Sequence, residues 1–247
     1  MRTRRSIDIN ADIGELTDDG VTDAELMPLI TSANIACGGH AGDGETMLRS
    51  CLAAQASSVA IGAQISYVDR STFGRRRLDI PRSQLAGQLR DQLAALSEQA
   101  DRAHTQVQYI KPHGALYHAC LDDSETAEVV GELAAEHDLG ILTMPEGALR
   151  QWSTARGIRV FAEAFLDRGY ARDGRLHSRT HPQALLTAHE VRVRLDEWHE
   201  VDYLQAESLC VHSDTPGAAH IARITRDHLK TMGVSVRAFI DQSAINR

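Results

Sequence analysis

Short apolar runs alternate with longer amphipathic stretches along the chain, a pattern typical of repeated strand–helix units around a parallel sheet. The apolar runs predict strands at about 5–10, 33–37, 59–65, 106–111, 139–143, 158–162 and 208–212. Helical periodicity between them predicts helices, notably at 43–57, 81–104, 122–137 and 215–232. We expect Pro81 and Pro182 to lie at helix starts, because proline fits the first turn of a helix.

The number of strand–helix units indicates the fold class. Six or seven units in 247 residues favour one α/β barrel of the TIM-barrel-like type, with a single domain over 1–247. An open doubly wound sheet would give a similar periodicity and is the alternative. In both folds the carboxyl ends of the parallel strands open on the same face.

Nearly every predicted strand runs into a cluster of polar, titratable or glycine residues. The clusters are Asn10 to Asp12, Cys37 to His40, Gln64, Lys111 to His113, Glu163, and His212 to Asp214. Because strand ends converge on one face, we expect these six clusters to form one site.

Two segments hold the main catalytic candidates. His40 follows two glycines that allow a close approach of the backbone to a ligand, and Asp43 could cap the next helix and also face the cavity. Lys111 ends an apolar strand, where an ammonium group needs an anion or a substrate, so it suits a phosphate or a carboxylate. His113 suits proton transfer or metal binding.

The first strand carries alternating polar residues. Asn10 and Asp12 share a face of the strand and could project together into the barrel mouth, and Glu15 follows. Asp12 could act as a general base, as a metal ligand or as the partner of Lys111 in an ion pair.

Two loops allow two interpretations each. Arg75 and Arg76 belong either to a solvated basic turn or to an anion clamp. Glu163, Asp167 and Arg168 lead into a long irregular segment, at about 165–181, which could be a lid or an ion-paired surface loop.

Composition excludes several classes of protein. A net charge of −8 and a pI near 5.8 argue against nucleic-acid binding. No apolar stretch is long enough for a membrane span, and none follows the basic opening to form a signal peptide, so we expect a cytoplasmic protein. The four cysteines are widely spaced, so we expect no disulfides. Neither a P-loop nor a Rossmann glycine motif is present.

Five segments together resemble the LamB/YcsF family, which includes the A subunit of bacterial 5-oxoprolinase. They are IDINADIGE (7–15), SANIACGGHAGD (32–43), FGRR (73–76), KPHGALY (111–117) and the stretch from Glu163 to Arg168. The order and spacing of the motifs match from about residue 7 to residue 220.

The resemblance implies a seven-stranded barrel related to glycoside hydrolases and deacetylases. It also implies ATP-dependent opening of the 5-oxoproline lactam to L-glutamate, with magnesium expected beside ATP and with two partner subunits similar to allophanate hydrolase components. The catalytic candidates are then Asp12, His40, Asp43, Lys111 and His113. Residues expected to bind the substrate are Asn10, Asn34, Gln64, Arg75, Arg76, Glu163, Asp167, Arg168, His212 and Asp214.

Within these roles, Asp12 or His113 would activate water, and His40 with Asp43 would orient the lactam. Lys111 with Arg75 or Arg76 would hold anionic oxygens. In the related deacetylases a carboxylate and two histidines bind a divalent metal, and here Asp12, His40 and His113 could supply that triad.

The sequence departs from the family pattern at four positions. The pattern has Cys at Ala11, His at Gln64, Pro at Ile65 and Gly at Ser213. These changes leave two alternatives to the leading function: a metal-dependent amide or ester hydrolase that acts alone, and a non-catalytic paralogue that binds a lactam.

Overall fold

A computed structural model describes residues 6–16, 20–198 and 205–240 of the chain. Seven parallel strands form a closed barrel, because β1 pairs with β2 on one side and with β7 on the other. The strands are β1 (Ser6–Ile13), β2 (Ser32–Ala36), β3 (Ala60–Ile65), β4 (Val107–Pro112), β5 (Gly140–Thr143), β6 (Val160–Phe165) and β7 (Ser208–Val211). A two-residue strand, β8 (Ser235–Val236), pairs with the start of β1. The predicted TIM-barrel-like α/β fold is confirmed.

Helices surround the barrel. They are α1 (Val21–Leu26), followed by a 3₁₀ turn (Met27–Leu29), α2 (Gly44–Ser57), α3 (Arg82–Arg102), α4 (Gly114–Asp122), α5 (Ser124–Glu136), α6 (Ala148–Thr154), α7 (Ala188–Trp198) and α8 (Ala218–Thr231). The four predicted helices correspond to α2, α3, α5 and α8. Among the described helices there is no apolar segment of membrane-spanning length.

Three predicted boundaries are wrong. The chain around Pro182 is irregular, and α7 begins only at Ala188, because Leu185 forms an isolated antiparallel bridge with Arg168. β1 continues to Ile13 and β6 to Phe165, so that Asp12 and Glu163 lie inside strands rather than after them. The predicted strand at 5–10 also begins one residue before the described part of the chain.

The barrel interior is polar toward its carboxyl end. Asp8, Asn10 and Asp12 alternate along β1 with Ile7, Ile9, Ala11 and Ile13, which belong to the main apolar core. The polar set contacts side chains of the neighbouring strands β2 and β7, and Asn10 reaches Lys111 of β4 across the barrel. A smaller apolar cluster, which includes Tyr109, Leu142 and Ile240, packs separately. The barrel therefore places buried polar groups beneath the face where the strands end.

Candidate active site

Lys111 lies at the centre of the polar interior, at the end of β4. Its Nζ is 2.9 Å from Glu163 Oε2, 3.1 Å from Asn10 Oδ1 and 3.4 Å from Asp12 Oδ1. Burial alone would lower the pKa of Lys111, but the charge of Asp12, with contributions from Cys210 and Glu163, raises it well above its ordinary value. Lys111 is therefore a fixed cation, and its nitrogen is a poor nucleophile.

Asp12 is held as a carboxylate beside Lys111. Its Oδ1 accepts a hydrogen bond of 2.9 Å from Asn34 Nδ2, and the strand register places these two residues side by side. Burial opposes ionisation, but Lys111 and then His212 lower the pKa of Asp12 well below its usual range. The carboxylate is thus a weak base at neutral pH.

His212 and Asp167 form a second charged pair at the barrel mouth. His212 Nδ1 is 2.9 Å from Asp167 Oδ1, and Asp167 Oδ2 also accepts hydrogen bonds from the His212 backbone N–H and the Thr215 hydroxyl. The Asp167 carboxylate outweighs the effect of burial and raises the pKa of His212. The ring stacks on Phe165, and its Nε2 lies 4.0 Å from Asp12 Oδ2. Asp167 therefore orients an imidazole whose second nitrogen faces Asp12.

A third group joins one carboxylate to two imidazoles. Glu15 Oε1 is 3.0 Å from His40 Nε2 and 3.2 Å from His113 Nδ1, and all three side chains are buried. The carboxylate that meets both rings is thus Glu15, and the predicted triad with Asp12 is wrong. Gly14, with φ of 76°, turns the chain after β1 and brings Glu15 back over the barrel end. Gly14 is the signal in the sequence that could have indicated this turn, although a glycine alone does not show where the next side chain goes.

Glu15, His40 and His113 could hold a metal ion. Ligand atoms about 2.1 Å from one ion lie roughly 3.0–3.4 Å apart, and the observed distances of 3.0 and 3.2 Å fit this spacing. The ring planes add a condition, because the two imidazoles stack with centroids 3.7 Å apart and planes 5° from parallel. One ion cannot lie in both planes, so metal binding would require one ring to tilt.

Gln64 lies next to this group at the end of β3. Its Nε2 is 3.1 Å from His113 Nδ1, and its side chain is fully buried. The Oε1 atom has no hydrogen-bond partner among the described residues. Ser213 Oγ, at another position that departs from the family pattern, is also buried without a partner there.

Two predicted site residues lie away from the centre. Asp43 is exposed and caps α2, with Oδ1 accepting hydrogen bonds from the backbone N–H groups of Glu45 and Thr46. Arg76 is also exposed, and its Nε is 3.9 Å from Asp69 Oδ2. The expectation that Asp43 faces the cavity is wrong, because its side chain is engaged by the first turn of the helix.

Arginines surround the mouth of the barrel. Arg75 Nη2 and Arg179 Nη1 each lie 2.7 Å from Asp214 Oδ2. These ion pairs join the loop after β3, which holds Arg75, and the irregular segment after β6, which holds Arg179, to Asp214 in the loop after β7. Arg168 is largely buried and donates hydrogen bonds to the carbonyl oxygens of Ala184 and His177. Arg179 was not among the predicted site residues, although it belongs to the irregular segment that the sequence indicated.

A cavity of about 400 Å³ lies under these arginines. Its lining includes Asp12, Gln64, Arg75, Lys111, His113, Tyr117, His118, Phe165, Arg168, His177, Arg179 and His212. Four cations and one carboxylate, Asp12, belong to this lining, and Arg75 and Arg179 are paired with Asp214 just outside it. An anionic ligand could replace Asp214 as the partner of these two arginines. The six predicted strand-end clusters do meet at one face, but Asn10 and Glu163 lie below the cavity, within the barrel.

Sequence comparisons link the chain to known proteins. The model of the LamB/YcsF family matches residues 7–244. A Streptomyces avermitilis protein, named as the A subunit of 5-oxoprolinase, is 42% identical over an alignment of 252 positions. The alignment covers 94% of this chain and 99% of the relative. A protein of the same name from Mycolicibacterium paratuberculosis is 41% identical, with 94% and 98% covered.

Solved structures show the same fold. The lactam utilization protein from Thermus thermophilus has a TM-score of 0.84 at 33% identity, and the match covers 94% of this chain and 99% of that one. A family 4 carbohydrate esterase from Streptomyces lividans has a TM-score of 0.50 at 8% identity, with 96% and 94% covered. This second likeness concerns the fold alone.

Proposed function

The chain belongs to the LamB/YcsF family, and from this membership we propose that it is the A-type component of an ATP-dependent 5-oxoprolinase. The enzyme would open the lactam of 5-oxoproline to L-glutamate. Relatives named as the A subunit of 5-oxoprolinase, and a structural relative named lactam utilization protein, support a lactam as substrate. The word subunit in those names supports an assembly, for which we propose two partners similar to allophanate hydrolase components.

The observation that carries the proposal is the cationic cavity beside the imidazole of His212. 5-Oxoproline carries a carboxylate, and a phosphoryl group would add further negative charge. Arg75 and Arg179 line the cavity and would exchange Asp214 for these anionic groups, with Arg168 and Lys111 adding positive charge nearby. His212 supplies a titratable nitrogen at the same place.

The chemistry explains the need for ATP. An amide carbonyl is a poor electrophile, so transfer of the γ-phosphoryl group of ATP to the lactam oxygen would release ADP and activate the ring carbon. Water then adds to that carbon, and the C–N bond breaks as the ring nitrogen takes up a proton. A second water releases inorganic phosphate from the resulting acyl phosphate, which leaves L-glutamate. We propose magnesium as the ion that accompanies ATP.

His212 is the side chain best placed to move these protons. Asp167 fixes its tautomer through Nδ1, so Nε2 can take a proton from water and return it to the leaving nitrogen. Lys111 stabilises negative charge from below, and it also keeps Asp12 ionised. Asp12 in turn faces His212 Nε2 and would stabilise the imidazolium.

The roles first expected for other residues change accordingly. The nitrogens of His113 are turned to the Phe73 carbonyl oxygen, to Gln64 and to Glu15, so this ring is less available as a base than His212. His40 lies behind His113, between Ser66 and Glu15, and would support the ring of His113. We assign Asp43 no role in catalysis.

Reconstitution tests the proposal. The purified chain is mixed with the two partner subunits, 5-oxoproline and magnesium ATP, and released glutamate is measured. We expect glutamate only when ATP and all three subunits are present. Glutamate formed by the chain alone without ATP, or no glutamate with the complete mixture, would contradict the proposal.

A metal-dependent amide hydrolase that acts alone is the second candidate, and the group of Glu15, His40 and His113 favours it. Metal content separates it from the first. This function would be supported if the purified protein held one equivalent of zinc, nickel or manganese and hydrolysed an amide without ATP. Glu15→Gln should then lose both the metal and that hydrolysis.

A further inference from the structure

We propose that Asp214 occupies the place of the substrate's carboxylate beside Arg75 and Arg179, and that the substrate binds by displacing it. The cavity then selects lactams that carry a carboxylate, and Asp214 is an internal competitor rather than a residue that binds the substrate. The inference rests on the proposed function, because that function brings 5-oxoproline into this cavity. It adds the identity of the group that the two arginines recognise.

The two arginines hold Asp214 as they would hold the carboxylate of a ligand. Arg179 donates hydrogen bonds to both of its oxygens, with Nη1 2.7 Å from Oδ2 and Nη2 3.2 Å from Oδ1. Arg75 Nη2 donates to the same Oδ2 at 2.7 Å. A guanidinium group that meets both oxygens of a carboxylate has the geometry in which arginine recognises such groups. The two cations are therefore already arranged around a carboxylate.

Both arginines face the cavity, whereas Asp214 does not belong to its lining. Arg75 and Arg179 line the cavity together with Lys111 and His212. Asp214 instead borders a separate surface hollow at the start of α8. A carboxylate that enters the cavity therefore reaches the guanidinium groups that Asp214 reaches from the other side.

The two ion pairs remain in contact with water, which makes the exchange possible. The side chains of Arg75, Arg179 and Asp214 are 38%, 28% and 18% exposed. Ion pairs that water reaches contribute little to stability. A ligand can therefore replace Asp214 without a large loss, and Asp214 lowers the affinity for that ligand only by a modest factor.

The loop that carries Asp214 is fixed. The backbone N–H and the ring of His212 and the hydroxyl of Thr215 all form hydrogen bonds with Asp167. Asp214 lies between His212 and Thr215 in the chain, so it stays next to the arginines after its displacement. It therefore returns when the ligand leaves, which favours release of an anionic product such as L-glutamate.

Calorimetry with matched ligands tests the inference. The full chain, alone and in complex with its partners, is titrated without ATP. The ligands are 5-oxoproline, inorganic phosphate and 2-pyrrolidone, which is the same ring without the carboxylate. The same titrations are made with Asp214→Asn, Arg179→Met and the control Asp91→Asn, which changes an exposed aspartate on α3.

We expect the wild type to bind 2-pyrrolidone at least about 10-fold more weakly than 5-oxoproline. Asp214→Asn removes the competing charge and should bind 5-oxoproline about 3- to 10-fold more tightly than the wild type, with 2-pyrrolidone unaffected. Arg179→Met should weaken binding of 5-oxoproline by about 10-fold, again without an effect on 2-pyrrolidone. Asp91→Asn should behave as the wild type.

Unchanged or weaker binding of 5-oxoproline by Asp214→Asn would overturn the inference, because Asp214 would then not compete for the arginines. Tighter binding of phosphate without tighter binding of 5-oxoproline would also overturn it and would assign the two arginines to a phosphoryl group. Equal binding of the two lactams by the wild type would overturn the selection for a carboxylate. These results leave the proposed function intact, whereas binding of neither lactam by the chain or the complex would contradict that function as well.

Discussion

His212 Nδ1 lies 2.9 Å from Asp167 Oδ1, and the opposite nitrogen of the same ring faces Asp12 Oδ2 at 4.0 Å. The pair joins two parts of the chain that are 45 residues apart, the end of β6 and the end of β7. One carboxylate therefore orients the ring, and the other lies on the side where a proton would be exchanged.

Asp167→Asn tests this orientation. The neutral amide removes the charge that raises the pKa of His212, so the pKa of the imidazolium should fall. If His212 donates the proton to the leaving nitrogen, the alkaline limb of the kcat profile should move to lower pH. We also expect kcat to fall by about 10²- to 10⁴-fold. The exposed Asp227→Asn is the control, and an unchanged pH profile in Asp167→Asn would contradict the role of Asp167.

Lys111→Met tests the balance of charge inside the barrel. Without the ammonium, the carboxylates of Asp12 and Glu163 remain buried without their cation, and removing one partner from a buried ion pair costs about 3–5 kcal/mol. Denaturant unfolding measures the change. The double variant Lys111→Met/Glu163→Gln should recover part of the loss, and the exposed Lys230→Met should cost little. Wild-type stability in Lys111→Met would show that the two carboxylates do not depend on Lys111.

Asp8 predicts a pH dependence of stability. Burial raises its pKa from 3.8 to about 6, despite hydrogen bonds from Ser208, Ser32 and Thr31. A raised folded-state pKa gives a stabilisation that is fully present below the unfolded pKa and is lost as the pH rises through about 6. Between pH 5 and pH 7.5 this loss amounts to about 1.4 kcal/mol. Asp8→Asn should remove that component from the free energy of unfolding, and parallel curves for variant and wild type would contradict it.

Asp43→Ala tests a purely structural assignment. The side chain caps α2 through the backbone N–H groups of Glu45 and Thr46, and loss of such a cap costs about 1 kcal/mol. We expect a lower unfolding midpoint with kcat unchanged in the reconstituted complex. A large fall in kcat without loss of stability would return Asp43 to the catalytic candidates.

Most of the fold could be predicted from the periodicity of apolar residues in the sequence. All seven barrel strands were predicted to within about three residues at each end, because apolar runs and helical stretches are local signals. The start of α7 was predicted wrongly, because the chain around Pro182 is held by the bridge between Arg168 and Leu185, which are far apart in sequence. Short helices such as α6 leave too little periodicity to detect.

The candidate site was predictable in part for the same reason. Lys111, Asp12 and His212 follow from the rule that strand ends converge. The partnership of Glu15 with both imidazoles depends on the turn at Gly14, and that of Arg179 with Asp214 depends on the path of a long loop. Asp43 shows the opposite case, because a helix cap and a catalytic carboxylate look alike in sequence.

Turnover by His212→Gln in the reconstituted complex is the most direct test of where the lactam is opened. Glutamate release from 5-oxoproline and ATP is measured for this variant, for the wild type and for the exposed control His220→Gln. We predict a fall in kcat of about 100-fold or more for His212→Gln, with 5-oxoproline still bound and His220→Gln unaffected. Turnover at the wild-type rate in His212→Gln would contradict the assignment of the barrel mouth as the catalytic centre.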